Sequence, residues 1–292
     1  MYERILITGA SGGLGGVLFQ SLKERYTVLG TCFQHPGSEL TVLDLRDISA
    51  TLSLCERFQP DLIINTVAWT DVDGCERDYR VAFEKNVQTA LAVRLATEAC
   101  EAKLIHISTN DIFSGAQGHY SESDLPEPIN HYSRTKYLAE QVVQDLPRAL
   151  ILRFTFLSWW ATGKTSFARW LVESLQRGKE VRLFQDQFNA PLYVGTLLEW
   201  LEQLWTLEGV YHLASERRSR WDAGMALAQA LNLNTDLILP GSFKTSDLPA
   251  PRPADVSLSA EKLLRETGLK TSLAQEIAKM VRAVPEDLRT SG

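Results

Sequence analysis

Between a short apolar run, Arg4 to Thr8, and a helical pattern of Leu14, Val17, Leu18 and Leu22 lies Thr8-Gly9-Ala10-Ser11-Gly12-Gly13-Leu14-Gly15-Gly16. Glycines in a strand-to-helix turn allow backbone paths closed to other residues and let the unpaired N–H groups of the helix start approach an anion. The spacing Gly9-x-x-Gly12-x-x-Gly15 is one residue wider at the front than the Rossmann fingerprint. Its place between strand one and helix one points to a cradle for a dinucleotide pyrophosphate rather than to a simple turn.

The rest of the N-terminal half fits that start. Thr27 to Thr31, Leu40 to Leu43, Leu62 to Asn65, Leu104 to Ser108 and Leu150 to Arg153 are short apolar runs, separated by helix-length segments such as Ile48 to Phe58 and Val81 to Ala99. This alternation predicts an α/β fold, a doubly wound parallel Rossmann-type sheet with helices on both faces, over residues 1–157. A helix carrying Tyr132 and Lys136 should run to about Leu146, where Pro147 stops it.

Beyond Arg153 the pattern changes. A loop-like stretch from Ser158 to Thr165 precedes a helix expected over Ser166 to Gln176 and a basic turn, Arg177-Gly178-Lys179. Gly209 to Leu213 reads as a buried strand, so part of 181–213 is expected to return to the first sheet. The region 158–292 then forms a smaller, interleaved C-terminal α/β substrate domain, with an extended Pro249-Ala-Pro-Arg-Pro253 and a last helix over Leu273 to Val284.

The net charge of −6 and the lack of a Lys/Arg block exclude a nucleic-acid surface. Cysteines 32, 55, 75 and 100 have neither metal-ligand spacing nor the density of a disulfide framework, so they are expected as buried thiols in a reducing compartment. No apolar run reaches the about 18 residues that a membrane span needs, and Met1-Tyr-Glu-Arg-Ile-Leu-Ile lacks a basic leader, so a cytoplasmic protein without a membrane partner is expected. No metal is expected, since His119 and His131 on their loop have no companions at ligand spacing.

Tyr132-Ser-Arg-Thr-Lys136 places a phenol and an ammonium one helical turn apart on one face. There the ammonium should depress the phenol's pKa and suit it to proton transfer with a substrate oxygen. Ser108-Thr109 ends a strand on the carboxyl edge of the sheet, where open α/β sheets bind ligands, and its hydroxyls either polarise a carbonyl or satisfy their own backbone. Asn65 ends another strand, and Asn86 sits in a helix, where Asn is a mediocre former. Asp44-Leu45 either brackets an adenine or, through Asp44, caps the helix near Ile48. Strand two ends Gly30-Thr31-Cys32-Phe33-Gln34-His35, with neither the acid that holds the ribose of NAD nor an arginine, so NADP(H) is preferred and NAD(H) allowed. Trp159-Trp160 is expected to pack between the domains rather than to wall the substrate.

Together, Gly9-x-x-Gly12-x-x-Gly15, Asn65-Thr-Val-Ala68, Ser108-Thr109 and Tyr132-x-x-x-Lys136 resemble the extended short-chain dehydrogenase/reductases. Within these, Asp61 to Asn65, His106 to Thr109, Phe113 to Gly115, Phe184 to Phe188 and Arg252 to Leu258 are similar to the dTDP-4-dehydrorhamnose reductases, and the likeness spans nearly the whole chain. The same pattern resembles the regulatory β subunit of methionine adenosyltransferase. The resemblance implies Tyr132 as general acid, Lys136 as the group that tunes it and holds the nicotinamide ribose, and Thr109 as the hydroxyl on the carbonyl. The cofactor residues expected are Gly9, Ser11, Gly12, Gly13, Leu14, Gly15, Asp44, Leu45, Asn65, Val67, Ala68, Asn86, Ser108, Tyr132 and Lys136.

Substrate-side positions depart from the family. Its Ser-Thr-Asp-Tyr-Val-Phe is here Ser108-Thr-Asn110-Asp111-Ile-Phe113, its Arg-Thr-Ser-Trp is Arg153-Phe-Thr-Phe156, and its Gly-Ala-Pro-Thr is Asn189-Ala-Pro-Leu192. Asn110, Asp111, Phe156 and Asn189 are therefore the expected substrate contacts. The reading is an NAD(P)H-dependent reductase of a keto group on a nucleotide-linked sugar, monomer or homodimer. A non-catalytic NADP-binding regulatory subunit and a nucleotide-sugar epimerase or dehydratase are the alternatives.

Overall fold

The structure is a computed structural model that describes residues 2–160, 166–245 and 247–289. Seven parallel strands form its sheet in the order β3-β2-β1-β4-β5-β6-β9. They are β1 (Arg4–Thr8), β2 (Thr27–Cys32), β3 (Thr41–Val42), β4 (Leu62–Asn65), β5 (Lys103–Ile107), β6 (Leu150–Arg153) and β9 (Gly209–His212). The order reverses at β1, so the carboxyl ends of β1 and β4 diverge over a crevice.

Alternation along buried strands sends side chains to two helical layers. Ile5, Ile7, Leu62 and Ile64 meet α1 (Gly13–Leu22) and α8 (Val194–Leu204) through Leu18, Phe19, Leu197 and Leu201. Leu6, Ile63, Leu104 and Ile151 meet α2 (Ile48–Phe58), α5 (Thr89–Ala99) and α6 (His131–Val143) through Leu54, Val93 and Ala139. The helical stretch expected over Val81 to Ala99 is α4 (Tyr79–Phe83) running through a π-turn, Glu84–Gln88, into α5.

A second core joins α7 (Phe167–Gln176), β7 (Val181–Phe184), α9 (Arg220–Ala230), β11 (Ile238–Gly241) and α11 (Leu273–Arg282). The span 181–213 is divided between the two cores: β7 pairs with β11 in the second, while α8 and β9 belong to the first. Two short antiparallel strands, β8 (Phe188–Asn189) and β10 (Arg218–Ser219), lie where the units meet. Residues 161–165 of the loop-like stretch lie outside the described residues. No described helix is long and apolar enough to cross a membrane.

Candidate active site

The glycine turn is open to an anion. Gly9 has φ +75°, and a Cβ on Gly15 would lie 2.3 Å from the Gly9 carbonyl oxygen, so the turn closes only with glycine at both places. Gly12 is the N-cap of α1 and brings no capping side chain, and the first turn of α1 carries no acid. The first N–H groups therefore keep their positive end for a ligand, which is the feature that fits this turn to a pyrophosphate. Val67 packs against Gly9, and Thr66 Oγ1 donates to the Thr8 carbonyl at 2.7 Å, so the loop Thr66-Val67-Ala68 forms the turn's side wall. Leu14 points into the first core, leaving its backbone for the cradle, whereas Ser11 remains half-buried.

The indole of Trp160 covers Gly13, its nearest carbon 2.7 Å from where a Cβ would stand. Trp160 also meets Phe156 edge-to-face at 5.3 Å, and Phe156 meets Phe154 at 4.3 Å. Trp159 instead is buried in the second core and donates Nε1–H to the Met280 carbonyl at 2.9 Å. The paired tryptophans thus part ways: Trp159 packs inside the second core rather than between the domains, while Trp160 stands on the cradle. Nothing in the sequence distinguishes the two.

Several polar residues expected at the cofactor are committed elsewhere. Asp44 holds Arg46 through both oxygens, and that pair keeps its carboxyl below its ordinary value, while Leu45 is buried in the core against the sheet. The helix near Ile48 is capped by Asp47, not Asp44. The Ser108 hydroxyl donates to Glu140, so it faces inward rather than towards a cofactor. Asn65 accepts from Thr8 Oγ1 at 2.7 Å and lies 3.1 Å from His106 Nδ1, which fixes the end of β4 beside the turn. Asn86, on the π-turn, accepts from Trp69 N–H at 2.6 Å and donates to Thr135 Oγ1 at 2.9 Å. It ties the loop after β4 to α6, and the extra residue of a π-turn lets the amide reach both.

Helix α6 begins with a capping box formed by Asn130 and Ser133, and Asn130 Nδ2–H donates to the Pro251 carbonyl at 3.0 Å. In the first turn, Tyr132 is buried beside Cys75 and Ala82. The expected depression of its pKa is not what the structure gives. Burial pushes the phenol above its ordinary value, the Asp111 charge adds to this, and the Thr109 hydroxyl offsets only part. Lys136 is turned away, donating to the Ile107 carbonyl at 2.8 Å, and burial lowers its pKa to about 8. Both groups pay the desolvation of the same pocket, and for the phenol this outweighs a neighbour whose proton is aimed at the strand.

Beneath them lies a buried ion pair. Glu140 on α6 is gripped by Arg153 at the end of β6, with N···O distances of 3.1, 3.1 and 2.7 Å. Thr109, two strands from the turn, caps the short helical turn Asn110–Ile112 by accepting from Asp111 N–H at 3.1 Å. Asn110 is buried and donates to Asn189 Oδ1 at 2.6 Å and to the Val256 carbonyl at 3.0 Å. Asn110 and Asn189, both expected to face substrate, thus brace the two units together, with the Asn110 amide nitrogen engaged in that contact. Asp111 is half-buried with Arg252 and Arg220 within electrostatic reach, and burial raises its carboxyl above its ordinary value. Arg252 pairs with Asp73 at 2.9 Å; Arg220, at the start of α9, is exposed and lies 4.5 Å over the Phe167 ring. Both arginines come from the second half of the chain, and only the Arg-Pro context of Arg252 marked either in the sequence. Among the described residues no cluster of His, Cys, Asp and Glu is arranged to hold a metal. The four cysteines are unpaired, with burial pushing Cys55 up to about 12 and Cys75 to about 11.

An open phosphate cradle on a doubly wound parallel sheet, with a hydroxyl and a Tyr-x-x-x-Lys helix across the carboxyl edge, is the build of an extended short-chain dehydrogenase/reductase. Residues 3–285 match the family model described as RmlD substrate binding domain, and the chain belongs to that family. It is 32% identical over 293 residues to the probable low-salt glycan biosynthesis reductase Agl14 of Haloferax volcanii, covering 95% of this chain and 97% of the relative. It is 29% identical to a dTDP-4-dehydrorhamnose reductase of Aggregatibacter actinomycetemcomitans (97% and 99% covered) and 28% identical to the methionine adenosyltransferase 2 subunit beta of Danio rerio (90% and 84%). The crystal structure of Bacillus anthracis dTDP-4-dehydrorhamnose reductase in complex with NADP superposes with a TM-score of 0.88 at 27% identity, covering 97% of this chain and 100% of that one.

Proposed function

We propose that this protein is an NADP(H)-dependent reductase of a keto group on a nucleotide-linked sugar. The observation that carries the reading is the buried phenol of Tyr132 beside the Thr109 hydroxyl, on the carboxyl edge next to an uncapped glycine cradle. The cradle and the backbone N–H groups of Gly13 and Leu14 would hold the pyrophosphate, with Val67 and Ala68 as side wall, while the Gly12 N–H closes the turn on the Gly9 carbonyl at 2.9 Å. Arg46, 5.4 Å over the Phe33 ring just past β2, would have to turn from its pair with Asp44 to meet a 2′-phosphate. When bound, the nicotinamide supplies the hydride.

Thr109 and Tyr132 would hydrogen-bond the substrate carbonyl and draw charge onto its oxygen. A phenol raised above its ordinary pKa keeps its proton at neutral pH, which suits a donor to the alkoxide formed on reduction. Lys136, with N–H groups beyond the one given to Ile107, would hold the nicotinamide ribose and, once its charge is turned to the site, ease proton release from Tyr132. Arg220 and Arg252 give an otherwise acidic protein a cationic wall on the substrate side, suited to the diphosphate of a nucleotide sugar.

The test is oxidation of NADPH, followed by absorbance, against a panel of nucleotide 4-keto sugars that includes dTDP-4-dehydrorhamnose. Turnover that disappears in Tyr132→Phe supports the reading. Tight NADPH binding with silence across the panel refutes it and favours the regulatory reading that the Danio rerio relative suggests. A dehydratase is disfavoured because Asn110, beside Thr109, is not an acid and has its amide engaged.

A further inference from the structure

Asp111 carries a half-buried carboxylate to which no described residue supplies a partner. Most of the protein's enclosed acids have a partner: Asp73 has Arg252, Asp255 has Arg217 and Ser257, Glu140 has Arg153, and Glu276 has Thr196 and the Tyr193 N–H. Among the described residues none donates a hydrogen bond to the Asp111 oxygens and no cation lies within ion-pair distance of them. Arg252 is turned to Asp73 and to the Ala250 carbonyl, and Arg220 lies over Phe167. A half-buried acceptor with no donor among its neighbours keeps its lone pairs for a ligand that reaches the cleft.

Its position says what should arrive. Asp111 is held by its N–H to the Thr109 hydroxyl, its turn packs on α6, and its charge is felt by the Tyr132 phenol. It therefore borders the space where a carbonyl held by Thr109 and Tyr132 would lie. We propose that Asp111 is the specificity-determining residue of this cleft, its carboxylate accepting a hydrogen bond from a sugar hydroxyl on the carbon next to the reacting carbonyl. This assignment rests on the keto-sugar reductase reading.

An ionised carboxylate only accepts, so it selects a donor and discriminates against a deoxy position or an anionic substituent there. Arg220 and Arg252, close enough to be felt but out of contact, temper its repulsion of an anionic nucleotide without occupying its lone pairs.

Steady-state NADPH oxidation by wild type, Asp111→Asn and Asp111→Ala should be compared on dTDP-4-dehydrorhamnose, hydroxylated beside its keto group, and on its 3-deoxy counterpart. NADPH affinity of each protein, read by fluorescence titration, controls for folding. Wild type should favour the hydroxylated sugar by about 10- to 100-fold in kcat/KM, the span of a hydrogen bond to a charged group. In Asp111→Ala the two sugars should come within about 3-fold, with Asp111→Asn between, and NADPH affinity should be unchanged in both. Equal kcat/KM for the two sugars in wild type, or a preference that survives Asp111→Ala, overturns the assignment and leaves the reductase reading standing. Wild type that oxidises NADPH with neither sugar, nor with any other nucleotide 4-keto sugar of the panel, overturns the reductase reading and this assignment with it.

Discussion

Replacing Arg153 with methionine removes the counter-charge from the carboxylate beneath the helix that carries Tyr132 and Lys136. Glu140 is 1% exposed and Arg153 5%, and three of the hydrogen bonds that Glu140 accepts come from Arg153, leaving only the Ser108 hydroxyl in the variant. Breaking a buried pair by taking one partner costs about 3–5 kcal/mol, because the stranded charge can neither be solvated nor matched. Replacing both partners with apolar residues of similar volume is often close to neutral. Arg153→Met alone should therefore lower the equilibrium unfolding free energy in urea by about 3–5 kcal/mol, and Arg153→Met/Glu140→Met should regain most of it. At about 2–4 °C per kcal/mol for a chain near this size, the single variant should melt about 6–20 °C lower. Circular dichroism across a urea series, with the slope m compared between variants, measures this. Additive losses in the double variant, with a coupling below about 0.5 kcal/mol, would refute the claim that the two charges exist here for each other.

Tyr132→Phe should lower kcat for keto-sugar reduction by about 10²- to 10⁴-fold, the usual worth of a positioned proton donor, with NADPH affinity kept, as rate and titration measurements can check. Burial lowers Lys136 from 10.5 to about 8, so its charge is lost as pH rises through about 8; kcat/KM measured from pH 6 to 10 should fall on that limb, and a flat profile speaks against a role for the ammonium. The sign for stability is the reverse. Between the folded value of about 8 and the ordinary 10.5 the unfolded chain binds more protons, so Lys136 makes the fold gain stability with rising pH there, visible in urea midpoints. Gly15→Ala should abolish NADPH binding by isothermal titration or unfold the first turn, since its Cβ would stand 2.3 Å from the Gly9 carbonyl. NADPH should change the tryptophan emission of the wild type, and Trp160→Phe should remove most of that change, because this indole is the one lying on Gly13.

What was legible in the sequence is what local rules determine. The glycine turn, the parallel strands and the helix bearing Tyr132 and Lys136 each follow from short-range periodicity and backbone freedom. Side-chain commitments were not legible, because their partners lie far along the chain: Ser108 is taken by Glu140, 32 residues on, and Asn110 by Asn189 and Val256, 79 and 146 residues on. The direction of the Tyr132 pKa was missed for a related reason. The spacing displays Lys136 but not the burial beside Cys75 and Ala82, which dominates. The π-turn at Asn86 had only a faint sign, an amide inside a helix.

Strand β9 has a consequence for how the protein can be made. Leu150 to Arg153 must pair with Gly209 to His212, with α7 and β7 of the second core formed by the chain between. As the chain leaves the ribosome, the carboxyl-side edge of the first sheet stays bare until those later residues emerge, and a bare parallel edge is a template for wrong partners. A fragment ending near residue 157 would hold the cradle, Thr109, Tyr132 and Lys136, yet keep that edge open and lack α8 over one face. The half that carries the glycine turn and Tyr132 is therefore not a separable module, and completing its sheet waits on the later half of the chain.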